Sequence, residues 1–89
     1  MIQKDLKILN RLGLHARPAA LIAQTAAGFE SDIELTKDNI TINAKSIMGV
    51  MMLAAEFDSS VRVSAKGKDE VQAIQALEKL FNDKFNEEF

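Results

Sequence analysis

The chain contains one histidine, His15, and the residues around it are suited to phosphoryl chemistry. His15 lies between Gly13 and Pro18, with Arg17 two positions after it. Pro18 stands early in a run rich in alanine and leucine, which predicts the first turn of a helix. The start of a helix binds anions such as phosphate through its free N–H groups and partial positive charge. Arg17 adds a permanent cation whose forked donors fit phosphate.

Histidine offers a neutral, nucleophilic nitrogen near neutral pH, and a phosphoryl group on that nitrogen is labile and easily handed on. His15 is therefore a candidate phosphoryl acceptor, and Arg17 is the candidate cation that stabilises the phosphate. A second interpretation stays open from these residues alone, because a lone histidine near a helix start can be a capping or surface residue.

The periodicity of the apolar residues predicts four strands and three helices in the order β-α-β-β-α-β-α. One layer of helices must then cover one face of one sheet, and the turn at 38–39 makes the second and third strands an antiparallel hairpin, so the fold class is α+β. Ser46 takes the N-cap position of the second helix. The predicted strands are 2–9, 32–37, 40–43 and 61–65, and the predicted helices are 16–27, 46–53 and a long one from 69–70, with Val71, Ile74, Leu77, Leu80 and Phe81 on its apolar face.

Composition excludes several classes of protein. The chain has 89 residues, 47% of them apolar and 27% charged, which predicts one globular domain over residues 1–89. It has no cysteine and one histidine, so we expect neither a metal site nor a cofactor. The net charge of −2 gives no basic excess for binding nucleic acid. The longest apolar stretch, 47–55, is too short to insert across a membrane, and we expect a cytoplasmic protein.

Two strings of residues resemble one known family. Gly-Leu-His-Ala-Arg-Pro-Ala, residues 13–19, looks like the active-site signature of the HPr family, the histidine-containing phosphocarriers of the bacterial phosphotransferase system. Ala-Lys-Ser-Ile-Met-Gly-Val-Met, residues 44–51, resembles the regulatory-serine segment of that family. The spacing between His15 and Ser46 is also similar, and the resemblance covers the whole chain.

The resemblance implies a fold and a route for the phosphoryl group. The fold would be an open-faced β-sandwich, with a four-stranded antiparallel sheet of order 1-4-2-3 covered on one face by three helices. Nδ1 of His15 would receive the group from enzyme I, which takes it from phosphoenolpyruvate, and pass it to an EIIA-type domain. Arg17 would neutralise the phosphate in both transfers. The chain would be a stoichiometric carrier and not an enzyme, and we expect a monomer.

The same resemblance implies regulation through Ser46. A serine kinase of the HPr kinase/phosphorylase type would phosphorylate this residue, and a transcriptional regulator would be a further partner. Phosphorylation adds about −1.5 to −2 charges at a helix start, where the helix dipole stabilises them. The fold should therefore tolerate the modification, whereas partner binding should not.

The second predicted helix offers an apolar surface to partners. Val50 and Leu53 form one stripe that can face the sheet, so Ile47, Met48 and Met51 point elsewhere. We expect these three side chains to form an exposed patch, because one sheet face cannot cover every side of a helix. The alternative is that the whole run lies in the core.

The first predicted helix offers the adjoining half of that surface. Arg17, Ala20, Leu21 and Gln24 share one helical face, and partial burial of Leu21 under the preceding loop is the alternative for that residue. Better core candidates on the same helix are Ile22, Ala23 and Ala26. The complete set of predicted partner-binding residues is Ala16, Ala20, Leu21, Gln24, Ile47, Met48 and Met51.

Three points stay open in the sequence. The segment 54–58 lacks the glycines that many relatives carry there, and Phe57 in it could be exposed. Residues 81–85 look like the nitrogen-related branch of the family and the Ser46 segment like the sugar branch; we favour sugar uptake. A regulatory binding module of the same fold, read out only through Ser46, is the alternative function, and an unrelated small α+β domain is a third. Glu87 and Glu88 are expected to belong to a solvated tail.

Overall fold

The computed structural model describes residues 1–88, and within them the predicted order of elements is confirmed. α1, β2 and β3 have the predicted bounds, whereas the ends of β1, α2 and β4 differ from the prediction by one or two residues. The strands are β1 (Ile2–Lys7), β2 (Asp32–Lys37), β3 (Ile40–Asn43) and β4 (Ser60–Lys66). The helices are α1 (Ala16–Ala27), α2 (Ile47–Met52) and α3 (Glu70–Asn82), followed by a 3-10 turn, Lys84–Asn86.

The four strands form one antiparallel sheet in the order β1-β4-β2-β3. Leu6 pairs with Val61, and Leu35 pairs with Val63, so apolar side chains align across three strands. These four side chains are buried, because the helices pack on this face of the sheet. The predicted fold class, an open-faced β-sandwich with three helices on one face, is confirmed.

Two predictions about the elements are wrong in detail. β1 ends at Lys7, because Ile8 leaves the ladder with β4 and instead exchanges backbone hydrogen bonds with Asp58 and Ser59. Val71, which the periodicity predicts on the apolar face of α3, is 49% exposed. At about 100° per residue, Val71 lies roughly 120° from the centre of the stripe formed by Ala73, Leu77 and their neighbours.

Asp69 ties the beginning of α3 to the loop that follows α1. Its carboxylate accepts hydrogen bonds from the Ser31 hydroxyl, from the Ser31 N–H at 3.0 Å and from the Glu30 N–H at 2.9 Å. It makes no capping bond to its own helix. The Ser31 hydroxyl, followed by the Glu30 N–H, holds the pKa of Asp69 below its ordinary value of 3.8.

We predict that these hydrogen bonds to the Asp69 carboxylate make part of the free energy of unfolding dependent on pH. Because the pKa of Asp69 is lower in the folded than in the unfolded chain, its contribution is complete above the ordinary value of 3.8 and is lost as the pH falls through the folded value. Asp69→Asn should therefore melt at a lower temperature at neutral pH and lose less of its melting temperature on acidification. Thermal unfolding followed by circular dichroism from neutral to about pH 3 measures both effects. Asp32→Asn, at an exposed aspartate, is the matched control, and equal acid losses in all three proteins would refute the role of Asp69.

Candidate functional site

The loop before α1 positions His15 through close backbone contact with the segment after α2. Gly13 has a φ of 68°, and a Cβ at this position would lie 2.4 Å from the carbonyl oxygen of Ala55. The N–H of Leu14 donates to the same carbonyl at 3.0 Å, and the Leu14 side chain is buried. Only glycine allows this approach, which fixes the course of the loop two residues before the histidine.

His15 is the N-cap residue of α1, but its ring does not cap the helix. The backbone is extended, with φ −75° and ψ −171°, and the side chain makes no capping hydrogen bond. Its carbonyl accepts the N–H of Ala19 at 3.0 Å, and Pro18 has no N–H to offer. The N–H groups of Ala16 and Arg17 have no acceptor within the helix, because these positions precede the first intrahelical bond. Among residues 1–88 no other group accepts these two N–H groups, so the start of α1 presents two donors beside the imidazole.

One nitrogen of the ring is held by a carboxylate. Nε2 of His15 lies 2.8 Å from Oε2 of Glu87, whereas Nδ1 makes no hydrogen bond to any residue in the described range 1–88. Glu87 is only 12% exposed. The expectation that Glu87 belongs to a solvated tail is therefore wrong, while Glu88 is exposed as expected.

The turn after α3 brings Glu87 to the histidine. Lys84, Phe85 and Asn86 all have left-handed backbone angles, with φ of 54°, 55° and 61°. Phe85 is fully buried, and its ring packs edge-on against Phe81 with the ring centres 4.9 Å apart. Burial of this ring anchors a segment whose backbone is unfavourable for residues other than glycine.

Asn10 completes the contact from the opposite side. This residue is fully buried in the loop before α1, and its Nδ2 donates to Oε1 of Glu87 at 2.8 Å and to the carbonyl of Gly13 at 2.9 Å. The amide therefore joins the glutamate to the loop that carries His15. Sequence reasoning missed both Asn10 and Glu87. The available signal was Phe85, which stands four residues after Phe81 and so continues the apolar helical spacing into the supposed tail.

Arg17 stands next to the ring and is free to move. Its Nη1 lies 3.7 Å from Oε2 of Glu87, and its side chain is 57% exposed. Because the guanidinium is mostly exposed and lies beyond hydrogen-bond distance, this pair contributes at most about 1 kcal/mol to stability. The guanidinium can therefore leave the carboxylate at little cost when another anion arrives.

The second helix places its residues as the sequence predicted. Oγ of Ser46 accepts the N–H of Gly49 at 3.0 Å, so Ser46 is the N-cap of α2. Val50 and Leu53 are buried, as the stripe facing the sheet requires. The exposed apolar side chains on α2 are Ile47, Met48, Met51 and also Met52, which the prediction omitted, and Met48 is the most open at 76%.

On α1 the predicted core side is confirmed, and the predicted surface side is confirmed in part. Ala16, Arg17 and Gln24 are exposed and Ala20 is half-buried. Leu21 is also half-buried and packs against the core, as its alternative interpretation allowed. The core side of the helix consists of Ile22, Ala23 and Ala26, together with Pro18 and Ala19. Because α1 packs against α2, the exposed side chains of the two helices belong to neighbouring elements.

An open depression lies beside the histidine. The segment 54–57 forms one wall, and left-handed angles at Ala54 and Asp58, with φ of 49° and 72°, replace the glycines that the segment lacks. Phe57 is 53% exposed, as expected. Within residues 1–88, no three histidine, cysteine or acidic side chains converge to hold a metal ion, and no helix has the length and apolar character needed to cross a membrane.

Comparison with known proteins identifies the family. The family model for the PTS HPr component phosphorylation site matches residues 2–83. The chain belongs to the HPr family. It is 53% identical over 88 residues to the phosphocarrier protein HPr of Treponema pallidum, and the match covers 99% of this chain and 100% of that protein.

Solved HPr structures show the same fold. The crystal structure of HPr-C-His from Thermoanaerobacter tengcongensis superposes with a TM-score of 0.95 at 50% identity, over the whole of both chains. An HPr dimer from the same organism has a TM-score of 0.77 at 50% identity and covers 98% of this chain and 100% of its own. Membership of the HPr family makes the chain a phosphocarrier of the phosphotransferase system. The expected monomer is not confirmed, since one of these HPr structures is a dimer.

Proposed function

We propose that Nδ1 of His15 accepts a phosphoryl group from enzyme I, which takes it from phosphoenolpyruvate, and passes it to an EIIA-type domain. The observation that supports this most is the uncapped ring at the start of α1, beside two free N–H groups and Arg17. A histidine that served only as a helix cap would direct a ring nitrogen at those N–H groups. Here they are left for an anion.

In the proposed transfer, His15 forms the new bond and the groups around it stabilise the charge of the phosphoryl group. The bond between phosphorus and the donor atom of enzyme I breaks as the P–Nδ1 bond forms, and the N–H groups of Ala16 and Arg17 stabilise the charge on the three phosphoryl oxygens. The guanidinium of Arg17 turns from Glu87 to these oxygens. Since the chain returns to its starting state only after a second transfer, it is a stoichiometric carrier and not a turnover enzyme.

Incubation with enzyme I and phosphoenolpyruvate, followed by intact mass measurement, tests this function. We expect a single phosphoryl adduct that is lost in acid, as a phosphohistidine is. A regulatory module of the same fold would stay unmodified in this reaction and would gain only an acid-stable phosphate from a serine kinase. An unrelated α+β domain would gain neither.

Arg17→Ala should slow phosphoryl transfer by at least about 10-fold, because its charge meets the phosphate mainly in the transition state. The melting temperature should hardly change, since the Arg17 side chain is largely exposed and its ion pair with Glu87 is weak. Rapid-quench transfer kinetics and thermal unfolding measure the two effects. Arg62→Ala, which removes an exposed arginine paired with Asp5 on the sheet, is the control. A large loss of stability with an unchanged transfer rate would make Arg17 a structural residue.

We further propose that Ser46 is a regulatory site for a serine kinase of the HPr kinase/phosphorylase type. A phosphate on Oγ lies at the start of α2, immediately before the exposed patch of Ile47, Met48 and Met51. Together with Ala16, Ala20, Leu21 and Gln24 on α1, this patch is the proposed surface for enzyme I, the EIIA-type domain and a transcriptional regulator. A partner that covers the patch must remove water from the new charge, which weakens binding.

Ser46→Asp, a partial mimic of the phosphate, should weaken enzyme I binding while it leaves the melting temperature equal or slightly higher, because a helix start stabilises a negative charge by up to about 1 kcal/mol. Met48→Glu should weaken binding by about 10-fold or more without the gain in stability, since its charge lies inside the apolar patch. Calorimetric titration and thermal unfolding give the two numbers for each variant. Gln75→Glu, on the exposed side of α3, is the control. Undiminished affinity of the phosphorylated protein would leave Ser46 as a helix cap only.

We place the carrier in the sugar-uptake branch, with the nitrogen-related branch as the alternative. The apolar segment after Ser46 supports the first and residues 81–85 the second. Transfer from the phosphorylated chain to purified EIIA-type domains of the two branches distinguishes them. We also propose that residues 1–89 act as one domain and as a cytoplasmic monomer, since each transfer needs one copy; sedimentation measures the last point.

A further inference from the structure

Glu87 is held against His15 by contacts that leave neither of its oxygens free. Oε1 accepts the amide of the buried Asn10 at 2.8 Å, and Oε2 lies 2.8 Å from Nε2 of the imidazole. The buried ring of Phe85 and the left-handed turn after α3 fix the backbone two residues earlier. The contact is therefore built by three separate elements of the fold and is not a chance encounter of a mobile side chain.

This geometry determines which ring nitrogen carries the proton. An ionised carboxylate only accepts hydrogen bonds, so Nε2 at 2.8 Å must be the donor. In the neutral ring the second nitrogen, Nδ1, is then unprotonated and keeps its lone pair. A carboxylate partner fixes the tautomer and the orientation of metal-binding and catalytic histidines in the same way.

We propose that Glu87 is a positioning residue for phosphoryl acceptance, which holds His15 in the tautomer whose nucleophilic nitrogen is Nδ1. The inference rests on the proposed function, in which Nδ1 is the acceptor. Glu87 touches neither the phosphorus nor the donor in this role and acts only through the imidazole.

The transfer step balances without a proton leaving the reacting nitrogen. The lone pair of Nδ1 forms the new P–N bond, the bond between phosphorus and the donor atom of enzyme I breaks, and its electron pair stays on enzyme I. Nε2 keeps its proton, so the phosphorylated ring becomes a cation, and the adjacent Glu87 carboxylate offsets that charge. In the other tautomer Nδ1 would have to lose a proton before it could attack.

Glu87 also contacts Arg17, and this contact opposes phosphoryl transfer because it holds the guanidinium away from the phosphate. It is weaker than the contact of Glu87 with His15. Oε2 lies 3.7 Å from Nη1 of Arg17 and 2.8 Å from Nε2 of His15. The guanidinium is mostly exposed and can turn to the phosphate, whereas the imidazole is held at hydrogen-bond distance. We therefore expect Glu87 to speed the transfer more by fixing the tautomer of His15 than it slows the transfer by holding Arg17.

The tautomer can be measured without any partner protein. In wild-type protein above the titration range of the imidazole, the ¹⁵N chemical shifts of the His15 ring should report an Nε2–H tautomer almost exclusively. Glu87→Gln should raise the share of the Nδ1–H tautomer several-fold, because the amide can also donate to Nε2. Glu88→Gln, which removes the same charge from the exposed neighbouring residue, should leave the spectrum unchanged.

The same variants are then phosphorylated by enzyme I. Glu87→Gln and Glu87→Ala should accept the phosphoryl group about 10-fold more slowly at saturating enzyme I, with an unchanged KM for the carrier, because the docking surface is intact. Unchanged ring shifts in both variants, or a rate that is unchanged or higher, would overturn the positioning role; a higher rate would mean that Glu87 mainly withholds Arg17 from the phosphate. Failure of the wild type to accept phosphate would refute the proposed function instead, since the ring shifts are read without enzyme I.

Discussion

His15→Ala should abolish phosphoryl acceptance from enzyme I while the fold is retained. The ring is the nucleophile in the proposed reaction, and His15 is the one histidine of the sequence. Removal of the ring costs little stability, because it makes no capping bond and its contact with Glu87 is partly exposed. We expect a change of at most about 1 kcal/mol in the free energy of unfolding.

The measurement is intact mass after incubation with enzyme I and phosphoenolpyruvate, combined with urea unfolding. Gln75→Ala, on the exposed side of α3 and outside the proposed docking surface, is the control and should still be phosphorylated fully. Ser46→Ala should be phosphorylated as well, because Ser46 is not the acceptor in this reaction. An acid-labile adduct on His15→Ala would refute the assignment of the acceptor.

Phe85→Ala should lower the free energy of unfolding by about 3–5 kcal/mol, a large share of the stability of a small domain. The ring is fully buried and packs against Phe81 at 4.9 Å with an angle of 60° between the planes. Edge-to-face pairs of this kind add about 0.5–1.5 kcal/mol to the burial of the rings. Three successive residues in left-handed conformation cost about 1–2 kcal/mol each, so the turn depends on this anchor.

Phe57→Ala is the matched control, because Phe57 is the same residue type and is more than half exposed. It should change the free energy of unfolding by less than about 1 kcal/mol. Phe85→Leu, which keeps most of the buried volume, should fall between the two if Phe85→Ala proves too unstable to study. Urea unfolding at a common temperature compares the three. Equal midpoints for Phe85→Ala and Phe57→Ala would show that the turn after α3 is held by other contacts.

The regular elements near the site were predictable because their signals are local. Pro18 at the start and Gly28 at the end bracket α1, and alternation of apolar residues marks β2, β3 and β4. Ser46 before an apolar run marks the start of α2 through the hydrogen bond that its side chain makes three residues later. Each of these signals acts over a few residues and needs no knowledge of the rest of the fold.

The exposed patch on α2 was also predictable, from a simple argument about space. A short helix on one sheet can bury one stripe, so Val50 and Leu53 are inside and Met48 is outside. The extent of the patch was not predictable, because the exposure of Met52 depends on where the chain turns after the helix. The same limit applies to Val71, whose position relative to the buried stripe of α3 depends on how that helix is rotated on the sheet.

The sequence by itself determined the strand and helix order, the start of α1 at His15 and the nearby cation of Arg17. Only the tertiary structure brought Glu87 to the ring and Asn10 to Glu87. The physical reason is distance along the chain: Glu87 follows His15 by 72 residues and reaches it through a left-handed turn for which the local sequence carries no glycine. That turn exists because Phe85 is buried against Phe81. The spacing of these two rings indicates that Phe85 is buried, but no local preference of residues 84–87 predicts the contact of Glu87 with His15.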